Sequence, residues 1–359
     1  MSAHTKKETA ASFRRGGCFA CVNSGRGFVS YFDSLFEGMD FIFVVKGGPG
    51  TGKSGLMAHI ADVFEARGEE TLRIYCSSDP DSLDGLILPG RKIALTDGTS
   101  PHARDLKTPG VDSVFLDTGR FLDVLKLREN AREIARQNAL KAAGFKRGYL
   151  LLAGAKELME AAESLILPAL DEQRFRFAVR RCLPQAGSAQ APSRVLPLRS
   201  VGMKGEVFLD TQIVKAERIL TLSPFCGADL YFLEELRREA DARKIFYERS
   251  PDLLTLRPES LYFPCARLLV RSGEALGKEN EKVLSLRRLL SSGKDSKDDR
   301  ARAKALTRQA EALYGEAKEA FVSASAPHFA LEKIYGAAMN YTGVEGLKKE
   351  AEKTILYLS

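Results

Sequence analysis

FIFVVKGGPGTGKSGLMAHIADVF, Phe41 to Phe64, is an apolar run that breaks off in a string of glycines, meets Lys53 and Ser54, and resumes at helical spacing. Flexible residues between two well-ordered elements make sense if the backbone itself wraps a ligand. Gly47-Gly48-Pro49-Gly50-Thr51-Gly52-Lys53-Ser54 satisfies the phosphate-loop pattern G-x-x-x-x-G-K-[ST]. Its glycines permit positive-φ turns that aim successive N–H groups into one anion-sized nest. The helix that starts there, with Gly55 in its first turn, adds its unpaired donors and partial positive charge. Lys53 is expected to reach the β- and γ-phosphates, and the Ser54 hydroxyl to hold Mg²⁺. The guanine-reading segment [NT]-K-x-D is absent, which favours ATP over GTP.

Magnesium also calls for a carboxylate. RKIALTDGTSPH supplies an apolar strand ending in Asp97, the form of a Walker B strand. Asp97 is expected to hold the metal through water. The next residue is Gly98, where vigorous ring-type and transporter ATPases place a glutamate to orient the attacking water, so fast hydrolysis is not expected. His102 lies just beyond, as a sensor or acid/base candidate or as a plain loop histidine. In CSSDPDSLDG, Asp79, Asp81 and Asp84 follow the second strand, where the ligand crevice of an open α/β sheet lies. They could touch Mg²⁺, Asp79 first among them, or an acceptor hydroxyl; a turn capped by its own carboxylates is the alternative. Cys18 and Cys21 form a lone C-x-x-C with no second pair, a weak case for a metal site.

Beyond the loop the chain reads as two copies of one unit. Short apolar runs at Phe41–Val45, Leu72–Tyr75, Ile93–Leu95 and Val114–Leu116 suggest parallel strands. A long helical pattern over about 121–182 follows, with Gly144 and Gly148 read as the turn of a helical hairpin. Residues 201–272 and 273–357 repeat that order, and Gly293–Lys304 reads as a solvated turn between two helices. FVVKGGPGTGKSGLMAHI lies over ILTLSPFCGADLYFLEEL with Val45 on Thr221, Lys53 on Asp229 and Leu56 on Phe232. The matches YCSSDPDSLDGLILP with YERSPDLLTLRPESLYFP, and KIAL with RLLV, keep the same order. The fold class is therefore α/β: a P-loop NTPase-like parallel sheet with a helical-hairpin insertion, duplicated as two diverged halves. The domains are 1–25 as an N-terminal tail, 26–182 as the active half, 183–200 as a linker rich in Pro, Ser and Ala, and 201–359 as a degenerate half. SPFCGADL has lost the glycine pattern, and a carboxylate facing phosphate repels it, so one nucleotide per chain is expected. That half could lend a basic residue to the active one, in the manner of an arginine finger; Arg174, Arg176, Arg180 and Arg181 are alternative donors, as a lid.

Composition adds bounds. The chain has 359 residues, 44% of them apolar, enough for a large core without disulfides. Its net charge of +7 is spread thinly, without the Lys/Arg block of a nucleic-acid tail. No run approaches the roughly 18 apolar residues of a membrane span, and MSAHTKKETAASFRR lacks an apolar signal core. Six scattered cysteines suggest reduced thiols and a cytoplasmic protein.

The combination of GFVSYFDSLF, FVVKGGPGTGKSGLM, CSSDPDSLDG and DGTSPH, over Gly27 to about Asp123, resembles a family of poorly characterised bacterial ATP-binding proteins of Gram-positive spore-formers. Those are tandem P-loop halves with helical insertions. The resemblance implies a P-loop NTPase, and a second P-loop that this sequence does not keep. The expected function is slow, Mg²⁺-dependent ATP hydrolysis driving a conformational switch. Alternatives are a small-molecule or nucleotide kinase, and a nucleotide-binding scaffold acting through an unidentified protein partner.

Overall fold

The structure is a computed structural model that describes residues 12–14, 16–100, 104–185, 193–294 and 296–358. The chain builds two six-stranded sheets, each with helices against it. The first contains β1 (Cys18–Phe19), β2 (Phe41–Lys46), β3 (Leu72–Tyr75), β4 (Leu83–Leu88), β5 (Ile93–Asp97) and β6 (Ser113–Asp117). The second contains β7 (Arg194–Val195), β8 (Arg218–Ser223), β9 (Glu248–Pro251), β10 (Pro258–Phe263), β11 (Leu268–Ser272) and β12 (Glu281–Ser285). Their strand orders are β1-β3-β4-β5-β2-β6 and β7-β9-β10-β11-β8-β12, the same arrangement twice. Both sheets are mixed rather than wholly parallel, because β4 and β10 run against their neighbours. The duplication of an α/β unit is thus visible in the topology.

Each central strand leads into a helix, α1 (Lys53–Ala66) after β2 and α4 (Ala228–Ala242) after β8. Between the halves, α2 (Ala131–Ile166) is one continuous helix of 36 residues, not a hairpin. Gly144 and Gly148 sit inside it, where α5 (Lys297–Ser323) crosses. A Cβ on Gly148 would lie 2.7 Å from the Phe321 ring, and one on Gly144 would lie 3.1 Å from the Ala320 carbonyl. Both glycines thus permit close approach of two helices; neither makes a turn. The segment expected as a solvated turn, Gly293–Lys304, contains the start of α5, capped by the Ser296 side chain on the Asp299 N–H. A strand, β12, precedes it where only helix was expected.

Other helices are exchanged between halves. α3 (Glu172–Arg181) belongs to the first half in sequence, yet Phe175 and Val179 pack with Phe225, Phe232 and Leu236 of the second. α6 (Ser325–Ala337) and α7 (Tyr341–Tyr357) follow α5, and Leu347, Ala351 and Ile355 of α7 complete the core formed by Leu56, Met57, Ile60 and Phe64 of α1. The crossing points carry mirrored backbone hydrogen bonds. Asp123 N–H donates to Ala338 O (2.8 Å) and Asn340 N–H to Phe121 O (3.0 Å); Ser291 N–H donates to Ala169 O (2.8 Å) and Asp171 N–H to Leu289 O (2.8 Å). Asp171 and Asn340 also cap the two exchanged helices with their side chains. The halves exchange elements reciprocally, and each core includes the other half's last helix.

Segments expected to lie outside the domains are built into them. Cys18–Phe19 pairs in parallel with Ile74–Tyr75, and Cys21–Ser24 forms a hairpin with Gly27–Ser30, so residues 18–24 are core rather than tail. In the supposed linker, Arg194–Val195 pairs with Glu248–Arg249, and Leu196 and Leu198 are buried with Cys18, Phe32 and Phe36.

Candidate functional site

The Gly47–Ser54 loop joins the C-terminal end of β2 to the N-terminus of α1. Three glycines are there for reasons the structure makes plain. A Cβ on Gly47 would collide with the hydroxyls of Thr118 and Thr51. Gly50 (φ +69°) and Gly52 (φ +85°) occupy the left-handed region that glycine alone enters cheaply. Lys53 turns its ammonium back over the loop, donating to Gly48 O (2.7 Å) and Gly47 O (3.2 Å). It also stands 3.6 Å from Asp97 Oδ2, with the two side chains only 11% and 15% exposed. β5 lies directly beside β2, with Asp97 opposite Val45, and that adjacency brings the acid to the lysine. Burial pushes the Asp97 carboxyl above its ordinary range, while Lys53 and the Thr99 N–H (2.7 Å) hold it down. Thr99 Oγ1 donates to Gly47 O (2.9 Å). The Ser54 hydroxyl accepts the Leu83 N–H at 2.9 Å.

Asp79 is less available for metal than expected. Lys204, in the turn of the second half's Arg199–Leu209 hairpin, stands 3.1 Å from it and also pairs with Asp81. The same hairpin donates Met203 N–H to Ser78 O (2.8 Å) and the Ser200 hydroxyl to Ser77 O (2.6 Å). His102 lies outside the described residues. The arginine cluster is carried away from the loop: α3 packs on the second half, with Arg176 on Glu172 (2.7 Å) and Arg180 near Glu239 (3.4 Å). Cys18 and Cys21 are buried, and burial pushes the Cys18 thiol up to about 12. Among the described residues, no group of three or more His, Cys, Asp or Glu could hold a metal ion.

Several residues against the loop come from the second half and have no sequence signature. Tyr341 donates its hydroxyl to Gly50 O (2.8 Å). A Cβ on Gly48 would lie 2.9 Å from the Tyr335 ring, and one on Gly50 would lie 2.7 Å from Glu332 O. The Glu332 carboxyl is held below its ordinary range by His328 first, with Lys53 and Lys204 adding to it. The exchanged helices α6 and α7 therefore form a wall against the loop.

The second half's counterpart is closed by its own side chains. Gly227 takes the role of Gly52, at the same φ of +85° before its helix. The loop ahead of it, Pro224–Cys226, is two residues shorter than Gly47–Thr51. Ala228 thus stands at the position of Lys53, and Asp229 at that of Ser54, one place from the sequence alignment. In the strands, Leu222 faces Ser272 as Val45 faces Asp97. Serine and aspartate have exchanged places. Asp229 Oδ1 accepts the Phe225 N–H (2.9 Å), and Oδ2 accepts the Ser272 hydroxyl (2.5 Å). The carboxylate thereby takes up a donor of the shortened loop itself.

Comparison with protein-family models, with curated proteins and with solved structures found no match for this chain. Among the described residues no helix is long and apolar enough to cross a membrane.

Proposed function

We propose that the chain is a P-loop NTPase that binds one MgATP in the first half and hydrolyses it slowly, with the exchanged α6–α7 pair responding to the nucleotide. The observation that carries this reading is the Lys53–Asp97 pair at the strand–loop–helix turn whose helix also begins with Ser54. A buried lysine and aspartate 3.6 Å apart beside a glycine-walled loop fit a magnesium–triphosphate complex in charge and in room for backbone. Ser54 and Asp97 would hold Mg²⁺, which takes its other ligands from phosphate and water and so needs no all-protein cage. Bound there, the ion would neutralise charge on the terminal phosphates.

Slow turnover has a steric basis. A side chain on Gly98 would collide with Val44, so no water-orienting glutamate can follow Asp97. The pairing of Lys204 with Asp79 and Asp81 also occupies the acids a kinase would turn toward an acceptor, which favours the ATPase over the kinase reading.

Calorimetric titration of ATP with and without Mg²⁺, followed by phosphate release on the same samples, tests the proposal. We expect one site per chain and affinity that falls on chelation. Asp97→Asn should flatten that Mg²⁺ dependence severalfold or more; an unchanged dependence would remove Asp97 from the metal site. Asp229→Ala should leave the stoichiometry at one, and a value near two would overturn the closed second site. Absence of any ATP binding sinks the whole reading.

A further inference from the structure

The second half contains a cavity of about 770 Å³, and its origin lies in a change between the two copies. In the first half, the sheet face away from α1 is filled by Phe32 and Phe36, ring centroids 5.3 Å apart. A Cβ on Gly85 would lie 3.3 Å from the Phe32 ring. Gly85 faces Thr96 across the ladder, and at the matching positions of the second sheet Ser260 faces Arg271. The helix Thr211–Lys215 takes the place of Phe32–Leu35 and brings Gln212, whose Oε1 accepts the Ser260 hydroxyl at 2.7 Å. An aromatic plug has been replaced by polar and smaller groups, and a well-packed protein does not leave such space without reason.

Arg271 lines this cavity, with Leu209, Ile213, Leu269 and Leu276 forming an apolar side and Arg199, Glu206, Asp252, Glu259 and Lys318 a charged one. Its guanidinium donates to Glu274 O (2.7 Å) and lies 3.4 Å from Thr221 Oγ1. No carboxylate of the described residues lies within ion-pair distance of it. Two acids face it from neighbouring strands, and both have partners. Glu259 pairs with Arg199 (3.2 Å) and accepts the Ser250 hydroxyl. Glu281 accepts the Thr221 hydroxyl and the N–H groups of Leu276 and Gly277. Burial pushes the Arg271 guanidinium below its ordinary range. Arg271 is half-buried and no described carboxylate bonds it directly, so its charge stays open to the cavity; a cation so placed in a roomy cavity has the chemistry of a ligand anchor.

We infer that the second half holds a small-molecule site, in which Arg271 binds the carboxylate of an organic monoanion and the apolar side of the wall takes its hydrocarbon body. A phosphate dianion fits less well, because Glu259 and Glu281 keep the surroundings negative. The site lies on the other half from Lys53 and stands or falls independently of ATP binding.

The probe is 3-phenylpropionate, with 3-phenylpropanol as its uncharged counterpart, both followed by ligand-observed NMR on the full chain. We expect the acid to bind the wild type and the alcohol to bind at least about tenfold more weakly, as loss of a charge-assisted pair predicts. Arg271→Met should weaken the acid by a similar factor, with the melting temperature falling by no more than the loss of its two side-chain hydrogen bonds predicts. Gln212→Phe, which restores the aromatic plug, should also abolish binding. No binding of the acid to wild type, equal binding of acid and alcohol, or undiminished binding to Arg271→Met would each overturn the assignment.

Discussion

Lys53→Ala should weaken MgATP binding by at least about 100-fold while leaving the melting temperature within a few degrees of wild type. The ammonium would give charge-assisted hydrogen bonds to two phosphates, each worth roughly 1.5–3 kcal/mol when water is excluded. Two such bonds amount to more than two decades in affinity. In the structure those donors are spent on the Gly47 and Gly48 carbonyls, so the lysine already stands where a phosphate would be met. Its removal leaves the loop's backbone donors in place, so a residual weak affinity for nucleotide is expected. Losing the 3.6 Å contact to Asp97 leaves that carboxyl more easily protonated, because burial already raises it and Lys53 is the chief group opposing that rise. The fold should tolerate this, since a neutral Asp97 still accepts the Thr99 N–H. Calorimetric titration paired with a thermal melt distinguishes the two effects. Affinity within threefold of wild type would show that the Gly47–Ser54 loop is not where the triphosphate binds.

How much of this was legible in the chain depended on whether the information was local. The loop, Lys53 and Asp97 were readable because a contiguous motif dictates strand, turn and helix, and the neighbouring strand must end beside it. The duplication was readable from the order of weak matches. Their register was not, because the second loop is shorter by two residues: a gapless overlay placed Val45 on Thr221 and Lys53 on Asp229, whereas the ladders and helix starts pair Val45 with Leu222 and Lys53 with Ala228. β4 was missed because Asp84 and Gly85 look like a turn, although both are tolerated inside its fully buried ladder. Charged residues disguised β12, whose edge position leaves Lys282 and Val283 exposed. Tyr335, Tyr341, Glu332 and Lys204 were invisible from sequence for a deeper reason. The first three meet the loop, and Lys204 meets Asp79 and Asp81, only because helices and hairpins cross between halves, and nothing local encodes which copy of a repeat a helix will pack on.

The misread glycines of α2 give the sharpest test of how the halves are joined. Alanine is favoured over glycine by about 1 kcal/mol inside a helix, so Gly315→Ala in α5, where an added Cβ meets nothing within 4 Å, should stabilise the protein by about that amount. Gly148→Ala should do the opposite. Its Cβ would fall 2.7 Å from the Phe321 ring, and that ring is fully buried, with Phe145 and Tyr149 each at a centroid distance of 5.5 Å. With no room to move aside, overpacking costs roughly 1–3 kcal/mol, which outweighs the gain in helix propensity. Opposite shifts in the melting temperatures of these two variants are the expected outcome. A stabilising Gly148→Ala would mean that the α2–α5 crossing is looser than the structure has it. The consequence would reach the candidate site, because α5 runs through Ala324 into α6, and α6 carries Glu332 and Tyr335 to the glycines of the loop. A rigid crossing holds that wall in register with Gly48 and Gly50; a loose one would let the wall and the loop move independently, and a nucleotide-driven signal between the halves would then have no stiff element to travel along.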